Sequence, residues 1–349
     1  MENKYKISYN IEVPAILKKN KISILLTTYQ PGKLIIISPE NDLLLQKPIS
    51  FKKPMGIAIQ GNKLAVACQD EIIIFSKNEN VGSFINKDST NFDSIFLQRS
   101  SYHTGTLDIH DLDFGDGLLW GVNTLFSCLS IFDINHSFKP KWKPNFISNL
   151  VPEDKCHLNG MEMVDSLPKY ATSLSIDDTK QGWRINKLNT GVLIEVPTGE
   201  IILSNLSMPH SPRIYKNELY LLESGKGTLV KVNTTKKIVE VIYNFNCFIR
   251  GLAFSNGIAF IGKSLIRDDS VDFNHLEIKE NSKNAGVIMF NLETMSIIGE
   301  INYEKDIQEL YDIQILENSL NPIIISNELK EYNDIITFPG NVFCKNTTI

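Results

Sequence analysis

Apolar residues in this chain come in runs of four to seven, rich in Ile, Leu, Val, Phe and Tyr and cut by Gly, Asn, Asp and Lys. Runs of that length between turn residues predict β-strands, and helical periodicity is nearly absent. The cleanest stretch reads Gly56-Ile-Ala-Ile-Gln, Gly-Asn-Lys, Leu64-Ala-Val-Ala-Cys, then Glu71-Ile-Ile-Ile-Phe75. Its Gly61-Asn62 pair is a tight hairpin signal. Near-copies follow at Arg250-Gly-Leu-Ala-Phe with a turn at Asn256-Gly257, and at Ser211-Pro-Arg-Ile-Tyr with a turn at Lys216-Asn217. The latter continues through Leu219 to Leu222, Thr228 to Val232 and Lys237 to Val241, which makes four strands in a row.

Six strand-like runs open on a distinctive pair: Met55-Gly56, His110-Asp111, Asn159-Gly160, Ser211-Pro212, Arg250-Gly251 and Tyr311-Asp312. Anchored on Gly56, Asp111, Gly160, Pro212, Gly251 and Asp312, the steps are 55, 49, 52, 39 and 61 residues. A recurrence of about 40–50 residues is the period of a β-propeller blade. Residues 22–46 supply three strands with no opening strand before them, and Tyr311 to Ile315 supply an opening strand with little after it. The expected fold is all-β: a single six-bladed β-propeller over residues 1–349, its ring closed by N-terminal strands, with seven blades as the alternative count. Residues 1–21 read as an N-terminal extension and 328–349 as a C-terminal tail.

Composition narrows the function classes. Hydrophobic residues make up 42 % and charged ones 21 %, ordinary for a globular chain with a sizeable core. A net charge of −5 argues against nucleic acid as a partner. No apolar run approaches a membrane span of about 18 residues, and the N-terminus lacks the apolar core of a signal peptide. The five cysteines are scattered without a CxxC pair, so a reduced, cytoplasmic protein without disulfides is expected.

In a four-stranded blade the opening strand lines the central channel and the second strand runs back, so the start of one and the end of the other share a face. That face is predicted to gather His110, Asp111, His157, Asn159, His210, Ser211, Arg250, Asn123 and Lys263, with His103 just upstream. Three histidines at successive blade starts suit a divalent ion, Zn²⁺, Fe²⁺ or Mn²⁺, held by His110, His157 and His210 with Asn159. Oxygens from Asp111, Asn123, Asn159 and Asp312 suit Ca²⁺ instead, and strand-capping histidines are the bland alternative. Arg184, Arg213, Arg250, Lys263 and Arg267 are candidates for holding an anionic substrate, together with Asn123 and Ser211. His103, His110, Asp111, His157 and His210 are the candidate catalytic residues. Cys156 and Cys128 are weaker candidates as nucleophiles, because no base faces them along the strand.

Six blocks resemble an uncharacterised bacterial β-propeller family, known as conserved hypothetical proteins or a domain of unknown function. They are His103-Thr-Gly to Ile109-His-Asp, Val122-Asn-Thr-Leu-Phe-Ser-Cys-Leu, Glu153-Asp-Lys-Cys-His-Leu-Asn-Gly, Gly182-Trp-Arg, Ser207-Met-Pro-His-Ser-Pro-Arg and Arg250-Gly-Leu-Ala-Phe. More distantly, Leu158-Asn-Gly-Met with Lys169-Tyr-Ala-Thr-Ser is similar to gluconolactonase, regucalcin and strictosidine-synthase-like six-bladed propellers. That resemblance implies a metal ligand at Asn159 and, less directly, at Asn123. The expected function is a metal-dependent enzyme acting on a small polar or anionic metabolite or sugar derivative at the channel mouth, with ester or lactone hydrolysis as the reaction type. The alternative is a non-catalytic propeller that binds a ligand or a protein.

Overall fold

Where two apolar runs flank a two-residue turn, the turn residues have the backbone a hairpin needs. Asp116-Gly117, Asp165-Ser166, Lys216-Asn217 and Asn256-Gly257 have positive φ at both positions. That twist matches the flanking strands. In a computed structural model, residues 5–85, 91–185, 187–266, 273 and 275–345 are described. Their hairpins join into six small antiparallel sheets, which form the blades of a propeller.

Blade 1 runs Ile57–Gln60, Lys63–Ala67, Glu71–Lys77 and Ser94–His103 from the axis outward. Blade 2 is Ile109–Gly115, Leu118–Asn123, Cys128–Ile131 and Lys139–Trp142. Blade 3 is Leu158–Val164, Leu167–Ser173, Gly191–Glu195 and Glu200–Leu206. Blade 4 is Pro209–Tyr215, Glu218–Glu223, Thr228–Asn233 and Ile238–Asn244, and blade 5 is Ile249–Ser255, Ile258–Lys263, Gly286–Asn291 and Ser296–Tyr303. Blade 6 joins the two ends of the chain. Its inner strand Leu310–Glu317 pairs antiparallel with Ile22–Thr28, followed outward by Lys33–Glu40 and Leu43–Ser50.

The terminal segments are more ordered than their sequence suggests. Ile7–Tyr9 adds a fifth, antiparallel strand to blade 5, and the helix Val13–Asn20 buries Val13 and Leu17 against the blade 5–blade 6 core. Pro322–Ile325 adds a fifth strand to blade 1, in parallel with Ser94–His103. A hairpin of Ile335–Phe338 and Asn341–Cys344 follows it.

Alternation along each strand sends neighbouring side chains to opposite blade interfaces. Ile24 and Leu26 pack with Phe260, Val287 and Ile313 toward blade 5. Leu25 between them packs with Ile57, Leu64 and Val66 toward blade 1. Each such side chain contributes about 1.5–3 kcal/mol by leaving water.

Near the axis the blades crowd, and the six anchors show how space is shared. A Cβ on Gly56 would lie 2.9 Å from the Asp111 Cα, one on Gly160 2.5 Å from Pro212 Cδ, and one on Gly251 3.2 Å from the Asp312 Cα. Glycine on odd blades thus faces a larger anchor on even ones.

Side chains also cross all six blade interfaces to reach backbone groups. The Ile57 N–H donates to Asp312 Oδ2 at 2.9 Å, while Asp312 Oδ1 accepts the Ile313 N–H at 2.8 Å. Asp111 repeats this arrangement, accepting from Met161 of the next blade at 3.0 Å and from its own neighbour Leu112 at 3.1 Å. Glu162 takes the Ile214 N–H at 2.8 Å, and Ser211 Oγ the Gly251 N–H at 3.2 Å. Ser264 Oγ accepts from Leu310 N–H at 3.0 Å, and Gln60 Nε2 donates to the Phe114 carbonyl at 3.3 Å.

Arg213 spans the axis among these stitches. Its guanidinium grips Asp111 bidentately at 3.0 and 3.1 Å and comes within 3.9 Å of Asp312. Burial alone would lower its pKa; Asp111 and Asp312 overcome that and hold it above its ordinary value. One cation is too few for the carboxyl groups around it. Burial pushes Glu162 up to about 8 and Asp113 up to about 6. Burial and then the Asp111 charge push Asp312 up to about 7.

Arg213→Met leaves this cluster without its cation and is expected to cost about 3–5 kcal/mol, measured by urea unfolding, with Arg213→Lys intermediate because its ammonium cannot form the fork. An unchanged unfolding midpoint in Arg213→Met would refute the clamp. The raised carboxyl pKa values also set a pH dependence. Between pH about 6.5 and about 8 the folded protein keeps carboxyl protons that the unfolded chain has released, so stability falls as pH rises. Below that window the buried His110 and His210, held below their ordinary range, oppose the trend, because the unfolded chain takes up protons that the folded protein does not. Thermal denaturation is therefore expected to give a higher Tm at pH about 6.5 than at pH about 8.5, and Glu162→Gln to flatten that slope; a Tm that climbs toward pH 8.5 contradicts it.

Candidate functional site at the channel mouth

One step toward the mouth from the Arg213 clamp, the inner strands of five blades each present one polar side chain. They are His110, Asn159, His210, Arg250 and Tyr311. With Asp111, Ser211, Arg213 and Asp312 beneath, they line a cavity of about 10 Å³. That is room for about one water molecule, so the channel is plugged at this level and only the mouth above it is open to a larger molecule.

His110 and His210 are held in the same way. Nδ1 of His110 lies 2.9 Å from the Asp108 carbonyl and 2.8 Å from Thr124 Oγ1. Nδ1 of His210 lies 3.0 Å from the Met208 carbonyl and 2.9 Å from Ser224 Oγ. A carbonyl only accepts, so Nδ1 carries the hydrogen in both rings and Nε2 keeps its lone pair. The Thr124 hydroxyl agrees with this assignment, since it donates to the Leu158 carbonyl at 2.5 Å and is left to accept from the imidazole. Burial first, and then the charge of Arg250, drives His210 down to about 3. Burial and then His157 hold His110 well below its ordinary range.

His157 is not in register with these two. Asp108, His157 and Met208 have φ of 51°, 52° and 51°, the same left-handed turn entering three successive inner strands. His157 therefore occupies the place of Asp108 and Met208, and Asn159 is the true counterpart of His110 and His210. The spacing placed three histidines in register; the entry turn, invisible in residue types, shifts one of them outward. There the His157 Nδ1 lies 3.1 Å from both oxygens of Asp154, which also accepts from the Trp183 indole at 2.8 Å. The His157 ring lies on Trp183, centroids 4.2 Å apart, and meets His110 edge-on at 4.7 Å.

Arg250 and Tyr311 close the opposite side. The guanidinium carbon sits 4.1 Å from the centre of the Tyr311 ring, a cation–π contact. Arg250 Nε and the Tyr311 hydroxyl are both buried without a hydrogen-bond partner. Among the described residues Arg250 also forms no ion pair. Burial pushes the Tyr311 phenol well above its ordinary range, so it stays protonated. A second cavity of about 60 Å³ opens off Arg250, lined also by Phe248, Ser264, Leu265, Ile266, Phe273 and Glu309. It is about six times the volume of the axial cavity.

The other expected site residues lie elsewhere or are engaged. Asn159 accepts from the Thr172 hydroxyl at 2.7 Å and donates to the Pro209 carbonyl at 3.0 Å, so both ends of its amide are bonded. Asp111, Ser211 and Arg213 belong to the inter-blade stitching. Asn123 is fully buried and caps a turn by accepting the Phe126 N–H. Lys263 pairs with Glu300 at 2.8 Å within blade 5. His103 is exposed at the outer strand of blade 1, across from Glu71. Arg184 is exposed and stacks on Trp183 at 4.3 Å, and Arg267 lies outside the described residues. Among the described residues no three His, Cys, Asp or Glu side chains are grouped so as to hold a metal ion. Tyr311 was missed as a site residue although it shares its repeat position with His110 and Arg250; the repeat itself was the signal.

The fold has relatives among solved structures. A chain of a nidogen/laminin complex superimposes with a TM-score of 0.52 at 11 % identity, covering 85 % of this chain and 99 % of that one. A protein of unknown function from Bacteroides caccae gives 0.51 at 9 % identity, covering 84 % and 98 %. At such identities the likeness extends to the propeller fold alone. Comparison with curated proteins finds no match. The family described as domain of unknown function (DUF4915) matches residues 11–325, nearly the whole propeller with its six interlocked inner strands, and the chain belongs to it.

Proposed function

We propose that the channel mouth binds the anionic group of a small metabolite, with Arg250 as its counter-charge. The observation that carries this reading is the contrast between the two arginines of the channel. Arg213 has two carboxylates beside it, whereas Arg250 has an aromatic face and, among the described residues, no ion pair. Arg250 is partly buried, its Nε has no hydrogen-bond partner, and a cation–π contact is worth about 0.5–2 kcal/mol. An arriving carboxylate or phosphate supplies the missing partner, and the guanidinium fork suits either group. The axial cavity takes only a water-sized group, so the anionic head lies above it against Arg250 and the remainder of the ligand at the mouth beside His157 and Trp183.

Binding is favoured over ester or lactone hydrolysis. An imidazole held near 3, as at His210, is a poor general base at neutral pH. Cys156, pushed up to about 12 by burial, is no nucleophile.

Isothermal titration with phosphate, citrate and glycerate at pH 7.5 tests the reading. The protein is expected to bind at least one of them, and Arg250→Gln to weaken that binding at least thirtyfold in a protein that still folds, because Arg250 gives the fold only its cation–π contact with Tyr311. Binding that survives Arg250→Gln at full strength, or none to any of the three anions, would overturn it. So would stoichiometric zinc or iron in protein purified without added metal, which favours a metal-centred enzyme.

A further inference from the structure

We infer that the mouth selects anions that bring their own hydrogen-bond donor, and that its ligand class is therefore the hydroxy acids: a carboxylate with a neighbouring hydroxyl. The inference rests on the anion-binding reading of Arg250 and adds a requirement to it. His110 and His210 line the same cavity as Arg250. Their Nδ1 hydrogens are committed to the carbonyls of Asp108 and Met208, so each ring offers the cavity only a lone pair.

These two acceptors are not served by the protein. Asn159, the polar neighbour between them, has its amide bonded to Thr172 and Pro209. Ser211 Oγ accepts from Gly251 at the level below and makes no hydrogen bond to either ring. A plain carboxylate, itself only an acceptor, leaves both Nε2 atoms desolvated and facing like partial charge. A hydroxyl next to the carboxylate is of the size that cavity takes and donates to one of them, while Arg250 holds the anion above it. An ammonium donor fits less well, because it adds a positive charge beside Arg250. Polar sites reject analogues that leave their groups unpaired more strongly than apolar sites reject extra bulk.

Glycerate, propionate and glyceramide separate the two requirements, sharing a three-carbon chain and differing in hydroxyls and charge. Titrated at pH 7.5, glycerate is expected to bind about tenfold or more tighter than propionate, as one or two extra hydrogen bonds imply. Glyceramide, with the hydroxyls and no charge, is expected to bind weakest. His210→Phe, similar in shape and without the lone pair, is expected to bring glycerate down toward propionate, and His110→Leu repeats the test should His210→Phe not fold. Equal affinity for glycerate and propionate in the unmodified protein refutes the donor requirement and leaves the anion site standing. No binding of either removes the anion site, and the inference with it.

Discussion

The ring depends on backbone N–H groups of one inner strand being captured by side chains of its neighbour. Inner strands of different blades diverge from the axis and form no ladder with one another, so their edges near the channel need other partners. Asp111, Asp312, Glu162 and Ser211 meet that need from the adjacent blade. The carboxylates bring negative charge into a confined space, and Arg213 is the cation that makes their burial tolerable. The clamp fixes how far each inner strand sits from the axis, and so the spacing of the side chains one step above it.

That dependence divides the channel into two levels of opposite character. The lower level is satisfied: nearly every polar atom has a protein partner, and its carboxyl groups exceed its cation. Among the described residues the upper level is less satisfied, with an arginine that forms no ion pair, a buried phenol without a hydrogen-bond partner and two imidazoles offering lone pairs. The lower level's order leaves these groups unpaired, because side chains that could have paired with them are tied down elsewhere.

Much of the fold was legible from residues because its signals are local. Turn pairs such as Asn256-Gly257 announce hairpins, and six repeated openings announce blades. Ring closure was legible from the missing partners at the two ends. The site was legible only in outline. His110, His210 and Arg250 fell where the repeat placed them, but Asp111 and Arg213, separated by 102 residues, carry nothing in sequence to reveal that they bind each other and not a substrate. His157 was misplaced by two residues because a left-handed turn is a property of backbone geometry, and here non-glycine residues adopt it. Asn159 and Asn123 look like metal ligands by type, yet Asn159 is bonded to Thr172 and Pro209 on other strands and Asn123 caps the turn after its own strand.

Blade 6 joins Ile22–Thr28 to Leu310–Glu317, strands from opposite ends of the sequence. Blades 1 to 5 are built from neighbouring hairpins, which close quickly, whereas this pairing waits for nearly the whole chain and carries the largest loop entropy. Tyr311 and Asp312 travel on that last inner strand. A nascent or incompletely closed ring therefore has Arg250 without its aromatic support and Arg213 without its second carboxylate, so the last fold contact also completes both levels of the channel.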